Sequence, residues 1–261
     1  MESRLSPLDW ASPWLQPWRA LGEPAAALAG QGAPVHEALN CAGHAPLRFV
    51  AAEALPPGMP YEQFIFEQGQ CPTRDGAHDF FNGIVWLGMP LAKRRLNALQ
   101  AEQLATLGVG GLRGPVRDAI TVFDENGALL DAPAPLWEAL LARQWQRAFI
   151  ELRPLWHQAR LLVFGHALLE KLAAPRKDMT AHVWRAPAPL ADLVDLGQAD
   201  AWLAGELSAA ALASKPFTPL PVLGVPGWCA ANENFSFYDD SGVFRPARGA
   251  KPSPFAPSAF A

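Results

Sequence analysis

"LRPLWHQARLLVFGHALLEKL", Leu152 to Leu172, reads as the longest clearly apolar helix of the chain, and its reading decides what kind of fold to expect. Two polar groups interrupt it. His166 and Glu170 are four apart and stack on one helical face. Burying a neutral polar group without a partner costs on the order of 2–7 kcal/mol, and a charge more, so partners are expected. An imidazole and a carboxylate one turn apart can bind a divalent metal or share a proton. The plainer alternative is a helix-surface pair facing water. Gly165, just before His166, lets another backbone come close, which suits a packed interior.

Outward from this stretch, the middle of the chain reads as helical. "YEQFIFEQG" is a short helix stopped by Gly69, and His78–Gly88 is helix-compatible. Met89-Pro90 marks a break or a new start. "LAKRRLNALQAEQLATLG", "VRDAITVFDENG" and "APLWEALLARQWQRAFI" follow as helices, the second stopped by Gly127. The last third changes character. "MTAHVW" reads as extended, and "AWLAGELSAAALAS" as a helix. "FTPLPVLGVPGW" holds too much Pro and Gly for a helix, and "FSFYDDSGVFRP" reads as a small hairpin. The expectation is a mainly α, multi-helix single domain with a small irregular β element near the carboxyl end. Residues 1–54 form a Pro-rich helical extension packed on the body, 55–248 the main domain, and 249–261 a loose tail.

Composition narrows the function classes. The chain has 261 residues, half of them hydrophobic, enough for a substantial core. A net charge of -4 argues against general nucleic-acid or acidic-membrane binding. Three widely spaced cysteines form neither a disulfide framework nor a Cys-x-x-Cys zinc site. No basic-then-apolar leader and no apolar run long enough to span a bilayer is visible. The expectation is a soluble, cytoplasmic protein whose partner is a small molecule or another protein.

The polar residues in apolar company are the candidate site. In "TRDGAHDFFNGIVW", Thr73–Trp86, His78, Asp79 and Asn82 lie beside Phe80 and Phe81. Asp79 can simply neutralise a helix start. Read functionally, these three point into a cleft as catalytic groups. His166, Glu170 and His182 are the candidate ligands of a divalent metal, though no zinc signature spacing is present. Lys93, Asn97 and Gln100 share one helix face and could contact a phosphate or carboxylate. Arg117 and Asp124 are further candidate binding groups. In "DENG", either Asp124 or Glu125 could serve as general base or metal ligand, but a calcium loop is excluded by the missing pattern. Cys71 reads as a buried structural thiol. No G-x-S-x-G, P-loop or G-x-G-x-x-G occurs, which disfavours those enzyme classes.

Five motifs occur together and in order: "HDFFN-x-x-VW", "K-x-x-LN-x-x-Q", "RDA-x-T-x-FDENG", "GHALLEK" and "LPVLGVPGW … FYDD-x-x-VFRP". The set, from Tyr61 to Pro246, resembles the bacterial family catalogued as domain of unknown function 3025. The resemblance implies a bacterial protein of one conserved domain and implies no activity. Two readings stay open. One is a metal-assisted hydrolase of an ester, amide or phosphoester. The other is a non-catalytic binding or interaction protein whose polar residues form a structural hydrogen-bond network.

Overall fold

Helices dominate this chain, with short strands interspersed among them. The computed structural model describes residues 7–107, 114–186 and 195–247. Helices α1 (Arg19–Gly30) and α2 (Val35–Ala42) lead into strand β1 (Arg48–Ala51), helix α3 (Tyr61–Gln68) and strand β2 (Gln70–Thr73). Three helices run in succession: α4 (Ala77–Gly88), α5 (Pro90–Leu107) and α6 (Pro115–Asn126). Strand β3 (Gly127–Asp131) continues directly from α6, followed by α7 (Ala134–Leu141), β4 (Arg160–Val163), α8 (His166–Leu172) and β5 (Thr180–Arg185). Helices α9 (Leu196–Glu206) and α10 (Ala209–Ala213) and strand β6 (Phe217–Pro221) come last.

The mainly helical expectation holds, but the β structure is spread along the chain instead of gathered near the carboxyl end. β1 and β2 pair in parallel, Arg48 opposite Gln70. The other strands form one sheet in the order β4-β3-β5-β6, with β3 antiparallel to β4 and parallel to β5. The expected helix over Leu152–Leu172 is therefore corrected. It divides into a 3₁₀ segment (Arg153–Gln158), strand β4 and helix α8. A buried apolar run such as "LLVF" fits a strand as well as a helix, and here the open edge of β3 takes it. The expected hairpin over "FSFYDDSGVFRP" is corrected too. Phe235–Asp239 is a 3₁₀ turn capped by Asn234, whose side chain accepts the Ser236 N–H. Tyr238 and Phe244 go to the core, Tyr238 stacking on Phe149 at 5.2 Å, while Phe235 stays exposed.

At the centre lies α4. Every residue from Asp79 to Leu87 is buried, so this helix is enclosed on all sides. Gly83 permits that: a Cβ there would sit 2.3 Å from a Leu39 methyl of α2. The amino-terminal tryptophans join the same core, and the buried Trp18 indole N–H donates to the Val163 carbonyl at 3.1 Å. The expected loose tail, 249–261, lies outside the described residues. No described helix is long and apolar enough to cross a membrane.

Candidate functional site

The start of α4, one face of α5, the end of α6 and the start of α8 enclose a cavity of about 460 Å³. That is within the usual range for a small-molecule site, roughly 300–1,000 Å³. The connection into α8 sets its geometry. The Phe164 and Gly165 N–H groups both donate to the Gly127 carbonyl, at 3.0 and 2.8 Å. A Cβ on Gly165 would lie 2.5 Å from backbone atoms of Glu125 and Asn126. Only glycine lets the two backbones approach so closely, and the approach places His166 against the end of α6.

His166 is 4% exposed and stands between two carboxylates. Its Nδ1 is 3.7 Å from Asp124 Oδ2 and its Nε2 is 3.7 Å from Glu125 Oε2. Both separations exceed hydrogen-bond reach, and the buried Nδ1 has no hydrogen-bond partner. Burial pushes the imidazole pKa down to about 4, so the ring is neutral near pH 7. The His78 ring packs edge-on against it, centroids 4.7 Å apart. His78 Nδ1 lies 3.0 Å from Glu170 Oε2. A carboxylate oxygen only accepts, so Nδ1 carries a proton, and in the neutral tautomer this selects Nε2 is the lone-pair nitrogen. One nitrogen from each histidine and one Glu125 oxygen all lie within 4.8 Å of one another. Burial, then the neighbouring Asp124, raises the Glu125 carboxyl pKa.

Asp124, Asp79, Asn82 and Asn97 are paired. Burial works against the Asp124 carboxylate, but Lys93 Nζ at 2.6 Å and His166 outweigh it and hold its pKa low. Burial also opposes ionised Asp79, and again a cation prevails. Arg74 donates three bonds to it: N and Nε to Oδ2 at 2.6 and 3.0 Å, and Nη2 to Oδ1 at 2.8 Å. Asn82 Nδ2 donates to the Tyr61 hydroxyl at 3.1 Å, which in turn sits 3.2 Å from Cys71 Sγ. Cys71 is buried, and that burial pushes its thiol up to about 11, which leaves it inert at neutral pH. Asn97 Nδ2 donates to the Glu62 carbonyl at 2.8 Å.

His78, Asp79, Asn82, Lys93, Asn97, Gln100, Asp124 and His166 all line the cavity. Glu170 reaches it through His78. Arg117 and His182 do not line it. Arg117 is half-buried on α6, its Nε without a hydrogen-bond partner. His182 is on β5 opposite Gly127 and Pro219, with its ring edge-on to Phe217 at 5.9 Å. Strand pairing, not the short connection from α8, decides where His182 goes. Sequence reasoning ranked Glu125 below Asp124 and passed over Tyr61, Arg74 and Trp86, all of which line the cavity. A signal for Arg74 was present: it stands five residues before Asp79, within reach of a carboxylate at a helix start.

The family model described as "Protein of unknown function (DUF3025)" matches residues 47–248. The chain belongs to the DUF3025 family. Every residue that lines the cavity, from Ala52 to His166, falls inside the DUF3025 match. No curated protein and no solved structure matches the chain.

Proposed function

We propose that this DUF3025 protein is a metal-dependent hydrolase of an ester, amide or phosphoester, with His78, Glu125 and His166 holding a divalent cation. The observation that carries the reading is the convergence of those three side chains, their ligand atoms within 4.8 Å of one another, at the wall of a substrate-sized cavity. Ligand atoms about 2.0–2.2 Å from zinc stand roughly 3.3 Å apart in a tetrahedron. The His166–Glu125 separation of 3.7 Å is near that value. His78 and Glu125, 38% and 34% exposed, have room to close the remainder. Two histidines and one carboxylate leave coordination positions for water and substrate, which is the pattern of catalytic and not structural zinc sites. When bound, the cation would polarise the scissile group and lower the pKa of its water to about 7.

The protein groups have distinct parts. Glu170 accepts from His78 Nδ1 and would leave Nε2 to hold the ion, whereas Asp124 stands near the other histidine at 3.7 Å without a hydrogen bond. Asp79, read from sequence as a catalytic group, has both oxygens taken by Arg74 and serves to hold the start of α4. Asn82 orients Tyr61 at the wall. The low net charge and the absence of a membrane-crossing helix among the described residues support a cytoplasmic protein acting on a small molecule.

A second reading, a non-catalytic protein with a structural polar network, is favoured by the closed pairs Lys93–Asp124 and Arg74–Asp79. Elemental analysis of protein purified without a histidine tag separates the two. The expected result is near-stoichiometric zinc, manganese or iron, lost in His166→Ala and in Glu125→Gln. A wild-type protein that takes up none of these ions, even when they are supplied in excess, sinks the metalloenzyme.

A further inference from the structure

The cavity extends well beyond the three metal-binding side chains, and its far end has its own chemistry. Lys93, Asn97 and Gln100 follow one another along α5 at steps of four and three. Lys93 marks the end beside Asp124 and His166. Gln100 lies seven residues on, about 10 Å further along the helix axis. It is 4% exposed, it lines the cavity, and its Oε1 has no hydrogen-bond partner. A buried carbonyl oxygen without a donor is rare in folded proteins and calls for an explanation. Trp86, Leu96 and Ile120 line the same cavity as apolar wall.

The charges around the cavity point the same way. Its lining includes two cations, Arg74 and Lys93, and four carboxylates: Glu62, Asp79, Asp124 and Glu125. Each cation is already committed, Arg74 to Asp79 and Lys93 to Asp124. His166 is neutral. No side-chain cation is therefore left over, and a divalent ion at His78, Glu125 and His166 would only bring the lining charges into balance with the four carboxylates, so an anion meets no net attraction.

We propose that the cavity takes an uncharged, elongated substrate, an amide or ester whose reacting carbonyl lies at the His78–Glu125–His166 end. An N–H donor about 10 Å away on the same molecule meets Gln100 Oε1. Among the hydrolase substrates proposed above, this selects against phosphoesters and other anions. This rests on the metalloenzyme reading for which end reacts, but the Gln100 contact and the charge selection do not need the metal.

The test is binding, not turnover. A tripeptide of phenylalanine and two alanines, N-acetylated and carboxamidated so that its acetyl carbonyl and terminal N–H can stand about 10 Å apart, is compared with its methyl ester, its free acid and phenyl phosphate by saturation-transfer NMR and titration. Each is run on metal-loaded and on chelator-treated protein. The expected order places the amide first, the ester weaker for want of the terminal N–H, and both anions last. Gln100→Leu is expected to weaken the amide about tenfold, the effect of losing one hydrogen bond to a buried acceptor, and to leave the ester unchanged. The same variant is expected to raise the unfolding temperature, because it removes an unsatisfied polar atom. Gln100→Met, of similar length, repeats the comparison should Leu strain the helix. Preference for phenyl phosphate, equal amide binding by wild type and both variants, or no binding of the amide overturns the proposal. If the metal is absent and the amide still binds through Gln100, the metal reading fails and this one stands. If the metal is present and phenyl phosphate is preferred, the reverse holds.

Discussion

His78 on α4 and Glu170 on α8 meet through a single contact, Nδ1 to Oε2 at 3.0 Å, that joins segments far apart in the chain. The carboxylate is 37% exposed, so it contributes little to folding by itself. Its consequence falls on the imidazole, which is held with Nε2 free. Glu170→Ala is expected to weaken metal binding by about 10–100-fold without unfolding the protein. Glu170→Gln, which keeps an acceptor, should recover most of that loss. Competition against a chelating dye measures both. Unchanged affinity in the alanine variant would show that the carboxylate does not act through His78.

Gly165 has an ordinary extended backbone, φ -63° and ψ 115°, so its role is space and not backbone strain. A Cβ would strike the backbone of Glu125 and Asn126. Gly165→Ala should cost about 1–3 kcal/mol, the usual range for overpacking. Because the displaced atoms belong to Glu125, metal stoichiometry should fall along with the unfolding temperature. Loss of stability with full metal content would separate the packing contact from the site.

Lys93 is 5% exposed and its partner Asp124 25% exposed. Lys93→Met leaves a largely desolvated carboxylate without its cation, beside Glu125. Fully buried pairs lose about 3–5 kcal/mol when one partner is removed; partial exposure of Asp124 brings the expectation to roughly 2–4 kcal/mol. Adding Asp124→Asn should restore part of it. Urea midpoints of the single and double variants give the coupling. A double variant no more stable than Lys93→Met would argue that the lysine matters by its packing over Trp86, 5.6 Å from the ring centroid.

Asp200 on α9 accepts the Leu91 and Ala92 N–H groups at 2.9 and 2.7 Å, at the start of α5. Burial raises its pKa in spite of those donors. The folded protein therefore holds this proton more firmly than the unfolded chain, where the pKa is about 3.9. The resulting stabilisation is present below the unfolded pKa and is lost as pH rises through the folded value. The advantage of wild type over Asp200→Asn should be largest near about pH 3.5 and shrink toward neutrality. Urea unfolding across that range checks it, and a gap that widens with pH reverses the assignment.

Much of the helical layout was legible because the chain punctuates itself. Gly69, with φ 61°, ends α3, and Pro90 opens α5. What was not legible depended on pairing over distance. Nothing local in Arg160–Val163 tells a buried strand from a turn of apolar helix; β3 decides it. The same holds for the candidate site. Its polar residues could be picked out, since His78, Asn82 and His166 sit in apolar surroundings. Which of them meet could not, because contact depends on how α4, α6 and α8 pack. His182 shows the error that follows from sequence nearness: it lies close to α8 along the chain, yet β5 carries it to Phe217. Glu125 and Asp124 are neighbours on α6, and only the clamp at Gly165 determines which carboxylate faces which nitrogen of His166.

Trp18 precedes the first residue matched by the family, 47, yet it is fully buried and its indole holds the carbonyl of Val163, three residues ahead of His166. The stretch that relatives share and the stretch that must fold together are thus different lengths of chain. A chimaera that exchanged only residues 47–248 between two members would inherit an empty socket beside β4, or a socket shaped for someone else's side chain. In this chain, then, the segment before residue 47 helps to hold β4, and with it the histidine beyond, in place.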